Sequence, residues 1–323
     1  MNKFSNTTNF KVNFCFLIIY FLTSSLYSQN FSGKIIYKTK IKLKDNVVGL
    51  DSLVNSYEGK TSEYLIMNGF YKSTYLQDEN ETYSYLYDNK NYRMYDVYPN
   101  KDYITYRDSR KSSNEYQPPK IFRDSIEIIL GRKCFKVENI STYNNYDNYY
   151  SDEIKIDPKY FKGHKVGNWY QKLKQTGGCI SMKSITEYDN YYKITEAIEI
   201  IPLKLKPADF EIRSGKPIVA SPTALDSNVQ MIPLNQIQID TYRRTIQNAS
   251  KNFAPGEEHT SYISFIVDKE GKVSLIDLLE ITNEYFDRKA LELFKQCNLK
   301  FEAGMIEGTA VSSLVYLPIT FQK

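Results

Sequence analysis

Chemistry needs a nucleophile, a base and a group to orient them, and this sequence offers few residues for those tasks. Histidine occurs twice, at His164 and His259, and neither an HExxH nor a CxxC pairing is present. Most zinc sites and histidine-based acid–base schemes are thereby removed. The remaining candidates are the acidic pair Asp152-Glu153 with His164, and Cys179 behind Gly177-Gly178. An acidic pair followed by a lone histidine reads as a solvated loop, and Gly-Gly-Cys reads as a structural strand entrance. No complete catalytic set emerges. The expectation is a protein without catalytic residues, metal or cofactor.

Cysteine usage adds one structural question. Cys15 lies in an apolar leader, leaving Cys134, Cys179 and Cys297, an odd number. Cys134 and Cys179 could bridge two strands, or all three thiols could stay free; spacing alone leaves both open.

The leader itself is an address. Lys3 and Lys11 precede an uninterrupted apolar run, Phe14 to Leu22, followed by Thr23-Ser24-Ser25-Leu26-Tyr27-Ser28. At ~1.5 Å per helical residue that run covers about half of a ~30 Å hydrocarbon core, so residues 1–28 read as a secretory signal cleaved near Ser28. An uncleaved anchor is the alternative. Export to the periplasm, with outer-membrane association open, is the expected location.

The rest must fold. The chain has 323 residues, 41% of them apolar, more than one ordinary core serves, so two domains are expected, a mainly-β one followed by an α+β one. Lys plus Arg number 42 against 38 Asp plus Glu, a scattered excess without the basic stripe that phosphate neutralisation requires. Nucleic acid is not an expected partner, and homo-oligomerisation is left open.

From residue 30 to 205 the apolar period is two. Ile35, Tyr37, Thr39, Ile41 and Leu43 alternate with lysines, as a half-buried strand requires. Asn68-Gly69 between two strand patterns is a hairpin signal, because both residues accept positive φ. Tyr83–Tyr87 with Tyr92–Tyr98, and Ile126–Leu130 with Cys134–Val137 across Gly131-Arg132, suggest two more hairpins. A meandering antiparallel sheet is expected, to which the resemblance given below adds a curved, half-barrel-like form. Its tyrosines invite a carbohydrate or stacking-platform reading, but tyrosine also simply suits a half-wet strand, and that packing explanation takes precedence.

Periodicity is lost over 206–236, where Pro207, Pro217, Pro222 and Pro233 stand among serines and Gly215. The segment reads as a proline-spaced linker, with an added edge strand as the alternative. Over 237–323 the order is helix, hairpin, helix, strand. Ile239, Tyr242, Ile246 and Ala249 mark the first helix, and Phe286, Ala290, Leu293, Phe294 and Cys297 the second.

Two resemblances follow from quoted residues. Ser125-Ile126-Glu127-Ile128-Ile129-Leu130-Gly131-Arg132-Lys133-Cys134-Phe135-Lys136-Val137 and Tyr149-Tyr150-Ser151-Asp152-Glu153-Ile154 resemble passages of the GLPGLI family of secreted envelope proteins. Where that family spells its name, this chain has Gln175-Thr176-Gly177-Gly178-Cys179-Ile180. The likeness implies a curved sheet like those of lipoprotein carriers, and no catalytic residue. Phe265-Ile266-Val267-Asp268-Lys269-Glu270-Gly271-Lys272-Val273, Phe286-Asp287-Arg288-Lys289-Ala290-Leu291, Lys300-Phe301-Glu302-Ala303-Gly304, Gly308-Thr309-Ala310-Val311 and Leu317-Pro318-Ile319-Thr320-Phe321 resemble the TonB C-terminal domain family. That resemblance implies a small α+β module whose last strand accepts an extended peptide, as from an outer-membrane transporter. The strand-edge candidates are Leu314, Val315, Tyr316, Leu317, Ile319 and Phe321, and Pro318 there serves either docking or protection of the edge. The competing expectation is a periplasmic carrier sheltering a lipid or lipoprotein tail in the first sheet.

Overall fold

The computed structural model describes residues 30–45, 47–111, 116–140, 144–212 and 214–323. The signal segment expected at 1–28 lies outside them. Along the chain run β1 (Gly33–Leu43), α1 (Asp51–Ser56), β2 (Lys60–Met67), β3 (Phe70–Gln77), β4 (Asn80–Asp88), β5 (Arg93–Val97) and β6 (Ile104–Asp108). Next come β7 (Lys120–Ile129), β8 (Arg132–Asn139), β9 (Tyr146–Lys155), α2 (Trp169–Gln175), β10 (Cys179–Glu187), β11 (Tyr191–Pro202), β12 (Ile218–Ala220) and β13 (Gln230–Met231). The last elements are α3 (Gln236–Ala249), β14 (Glu258–Val267), β15 (Val273–Leu278), α4 (Glu284–Cys297), β16 (Phe301–Glu302), β17 (Gly304–Ile306), β18 (Thr309–Val311) and β19 (Ser313–Gln322).

Fifteen strands hydrogen-bond into one large curved sheet, in the order β15-β14-β19-β12-β6-β5-β4-β3-β2-β1-β11-β10-β9-β8-β7. Two antiparallel meanders, β1 to β6 and β7 to β11, meet where β1 lies against β11 from Gly33 opposite Pro202 to Leu43 opposite Tyr191. Local chemistry sets the hairpins. Met67 pairs with Phe70, so Asn68-Gly69 forms the two-residue turn, with Gly69 at φ 84°. At the β7–β8 hairpin the turn is Leu130-Gly131, one residue earlier than the sequence suggests, because Ile129 pairs with Arg132. The β3–β4 turn, Asp78-Glu79, takes positive φ at both residues without a glycine, so composition does not announce it.

The helix, hairpin, helix, strand order of the last region is observed. Each helix has a defined start. Asn235 and Gln238 form a reciprocal capping box on α3. Asn283 caps α4 by accepting from the amides of Tyr285 and Phe286, while the buried Asp287 carboxylate accepts from those of Thr282 and Asn283. Both helices bury apolar stripes on one face of β14 and β19, around Phe265, Phe294 and Phe321.

One expectation changes and one open question closes. The proline-spaced 206–236 segment is packed rather than extended. Its strand β12 runs parallel to both β6 and β19, so the sheet is continuous across it. Phe210, Ala220 and Ala224 close an apolar layer over Leu86, Tyr95 and Tyr106. Prolines removed the periodic signal without removing the apolar anchors between them. Of the two states left open for Cys134 and Cys179, the free one is observed: both thiols are unbridged and buried. They sit on β8 and β10, which flank β9 on opposite sides, so about two strand spacings, ~10 Å, separate them. Bridged cysteines need Cα atoms within ~7 Å.

The packed connector makes a stability prediction. Phe210 is 3% exposed and its ring lies 5.7 Å from that of Phe70. Phe210→Ala is expected to lower unfolding free energy by about 3 kcal/mol, read as a shifted urea midpoint. A linker residue would change it by under ~0.5 kcal/mol.

Candidate functional site

The face of the sheet against which α2 packs carries an alternation of large and small side chains. Cross-strand register places Tyr37 opposite Ser62 and Ser62 opposite Tyr75. One row on, Tyr64 stands opposite Ser73 and Ser73 opposite Tyr85. Serines between rings leave space that a ladder of large residues would fill, and a hollow of about 300 Å³ results. Ser181, Lys183 and Ser184 of β10, Lys193 and Thr195 of β11, and Asn148 of β9 form the far wall; Trp169, at the start of α2, stands at one end.

Much of the remainder of this face is covered by the chain itself. Residues 156–178 cross it, burying Ile156, Phe161 and Leu173 in the same cluster as Ile66, Tyr87 and Met94. His164 fixes that crossing. It is buried, stacked on Tyr71 with ring centroids 5.5 Å apart, and its Nε2 is hydrogen-bonded to the Tyr71 hydroxyl. Burial pushes Tyr71 well above its ordinary range, so the phenol keeps its proton and donates. The imidazole proton is then assigned to Nδ1. Burial, helped by the Arg107 charge, pulls His164 down from 6.5 to about 3.

Inside the hollow the tyrosines act as neutral donors. Burial raises Tyr37, Tyr64 and Tyr85 far above their ordinary values. Tyr37 donates to the Ser181 carbonyl at 2.7 Å. The hydroxyl of Tyr64, a residue 8% exposed, is buried without a partner among the described residues, and so is Nε1 of Trp169. For Lys183, burial lowers the pKa, but contacts to Glu127 at 2.5 Å and Glu196 at 3.3 Å outweigh that and raise it. The arrangement offers aromatic surfaces, neutral hydroxyl donors and two ammonium groups, Lys183 compensated by Glu127 and Glu196 and Lys193 lying over the Tyr57 ring at 5.6 Å. It can hold a polar small molecule; nothing in it is an activated nucleophile.

The residues singled out from sequence are scattered. Cys179 lies 3.6 Å from Asp152 Oδ1, in a cluster with Phe135 and Tyr150, whereas His164 packs among Tyr71, Tyr87 and Trp169. Burial and the Asp152 carboxylate push the Cys179 thiol up to about 12, which withholds the thiolate. Asp152 is engaged by Arg123 and Lys155. Of the strand-edge candidates, Leu314, Ile319 and Phe321 are buried, Val315 and Leu317 are half-buried against the helical layer, and only Tyr316, at 44%, is exposed. One edge of β19 is paired throughout with β14; on the other, β12 meets it only at Ser313, opposite Ala220. An apolar groove of about 250 Å³ lies beside Leu317, Pro318 and Ile319, closed by Met231, Leu234 and Tyr242.

The hollow itself was missed from sequence. The signal available was the pair Ser62 and Ser73 within tyrosine-rich strands, which means little until the register is known.

No family model matches the chain, and no curated protein matches it. Among solved structures it is similar to PNGF-II, at a TM-score of 0.36 and 11% identity over 75% of this chain and 45% of that one. It is also similar to a LolA superfamily protein from Nitrosomonas europaea, with TM-score 0.27 and 8% identity over 57% and 91% of the two chains. An outer membrane lipoprotein-sorting protein domain from Vibrio parahaemolyticus follows, with TM-score 0.25 and 12% identity over 55% and 89%. The chain spans under half the length of PNGF-II. Likenesses at this distance speak to neither ligand nor activity. The class established is a mainly-β protein built on one large curved sheet. No helix among the described residues is long and apolar enough to cross a membrane.

The buried histidine predicts a pH dependence. Its folded pKa lies below its unfolded one, so its contribution is fully present above pH 6.5 and is lost as pH falls toward 3. Unfolding free energy is expected to drop by about 1.4 kcal/mol per pH unit across that window from this group. Urea titrations at several pH values check it, with His164→Gln expected to flatten the slope by one proton.

Proposed function

We propose that the protein is an exported, non-catalytic carrier of the periplasm that holds a small amphiphilic molecule in the hollow of its curved sheet, lipid-linked molecules included. One observation supports this most: at the Tyr–Ser alternation the cover of this face leaves a hollow, and a buried phenol there stays unpartnered among the described residues. An unsatisfied buried hydroxyl costs about 1–3 kcal/mol, which a bound acceptor offsets. A volume of about 300 Å³ falls at the lower end of small-molecule sites, which span roughly 300–1,000 Å³. The hollow is the place to test. Protein purified without detergent is expected to carry a non-protein mass in native mass spectrometry. Ser62→Leu with Ser73→Leu, which fills the hollow, should abolish it while the fold persists by circular dichroism. Empty wild-type protein that takes up no small molecule defeats the carrier reading.

A second reading, strand addition at β19, is favoured by the one-sided pairing of that strand and the apolar groove beside it. An extended segment, such as one from an outer-membrane transporter, would pair by main-chain hydrogen bonds and seat one apolar side chain in the groove. Because backbone carries such binding, Tyr316→Ala should change affinity by no more than about twofold, as exposed substitutions do. Fluorescence anisotropy with labelled transporter segments measures it, and absence of binding by every segment removes this reading.

A further inference from the structure

We propose, resting on the carrier reading, that the hollow recognises a neutral saccharide, its ring faces set on tyrosine and tryptophan and its hydroxyls met by the polar groups between them. The lining is unsuited to an acyl chain. Besides the tyrosines, seven of its side chains carry a hydroxyl or amide, from β1, β2, β3, β9, β10 and β11. Methylene groups laid against them would take water from these groups and return no hydrogen bond, a loss repeated at every contact. A sugar has both surfaces the hollow needs: C–H faces that pack on an aromatic ring, and edge hydroxyls that donate and accept.

The aromatic groups are arranged to provide this. Tyr71 and Tyr85 meet edge-on at 5.8 Å and Tyr71 and Trp169 at 5.7 Å, so the rings form angled walls rather than one flat stack. The Tyr64 hydroxyl and Trp169 Nε1 are both buried donors still seeking an acceptor, the requirement that a ring oxygen or hydroxyl satisfies. Charge favours a neutral ligand. Of the two lysines in the lining, Lys183 is already held by Glu127 and Glu196, and the Lys193 ammonium lies over the Tyr57 ring at 5.6 Å, so neither is set as an anion clamp.

The sugar's source is separable by experiment: a free saccharide and the sugar head of a glycolipid share this chemistry. Trp169 is the chain's single tryptophan, so intrinsic fluorescence reports on the hollow directly. The whole exported protein is titrated with maltose, cellobiose and diacetylchitobiose, with octyl glucoside, and with lauric acid. Saturable change with a disaccharide supports the proposal and a free source. Change with octyl glucoside but neither disaccharides nor lauric acid supports it with a glycolipid source. Tyr64→Phe, which removes one donor and little volume, should weaken the sugar response about tenfold; Ser62→Ala tests a second polar contact if that variant misfolds. Binding of lauric acid alone overturns the saccharide proposal while leaving the carrier reading intact. Silence toward every probe, checked by equilibrium dialysis, overturns both.

Discussion

The pairing of β1 with β11 is the constraint on which the architecture depends. Each meander is a chain of local hairpins, but this seam joins residues 148 to 169 positions apart in sequence, and the Thr39 and Thr195 hydroxyls meet across it at 3.0 Å. Without it, β2 and β3 would bring Tyr64 and Tyr71 to a surface with no opposite wall, because Ser181, Lys193 and Thr195 arrive only through β10 and β11. A register shift at Ile36 and Tyr37 marks the seam, beside the first tyrosine of the hollow. Bulges of this kind increase local twist, in keeping with a sheet that curls.

A sheet this large has two apolar faces to cover, and the chain covers them with irregular segments more than with helices. On one face, residues 156–178 fill most of the space with Ile156, Phe161 and Leu173. On the other, the 206–225 connector sets Phe210 against Phe70. Strands β2 and β3 consequently alternate between two buried environments, Tyr64 and Ile66 inward, Leu65 and Met67 toward the connector. The hollow exists where the first covering segment stops and serines replace the side chains that would have met it.

Much of this was legible in sequence. Asn68-Gly69, the lysine-spaced β1 and the helical faces of α3 and α4 follow from patterns of two and 3.6, which are local. What failed was non-local. The connector's prolines advertised a spacer, while its anchors Phe210, Ala220 and Ala224 have no period to detect. Cys134 and Cys179 have strand-compatible spacing, but β9 between them is visible only in the sheet order. Tyrosine enrichment was explained by half-wet strands, and for Tyr262 or Tyr316, partly exposed on β14 and β19, that account holds. It does not cover Tyr64, whose hydroxyl meets neither water nor protein; only the register that puts Ser73 beside it reveals the difference.

Protonation then limits what such a hollow can select. With Tyr37, Tyr64 and Tyr85 held neutral by burial, and His164 held neutral from the opposite direction, the site's hydrogen-bonding character stays constant across the pH range of an aqueous compartment near neutrality. Discrimination must therefore come from shape and from the match of donors to acceptors, not from charge. In a water-poor space a missed hydrogen bond costs more than a made one returns, so a fixed set of neutral donors rejects ligands that leave them unpaired more strongly than it rewards those that fit.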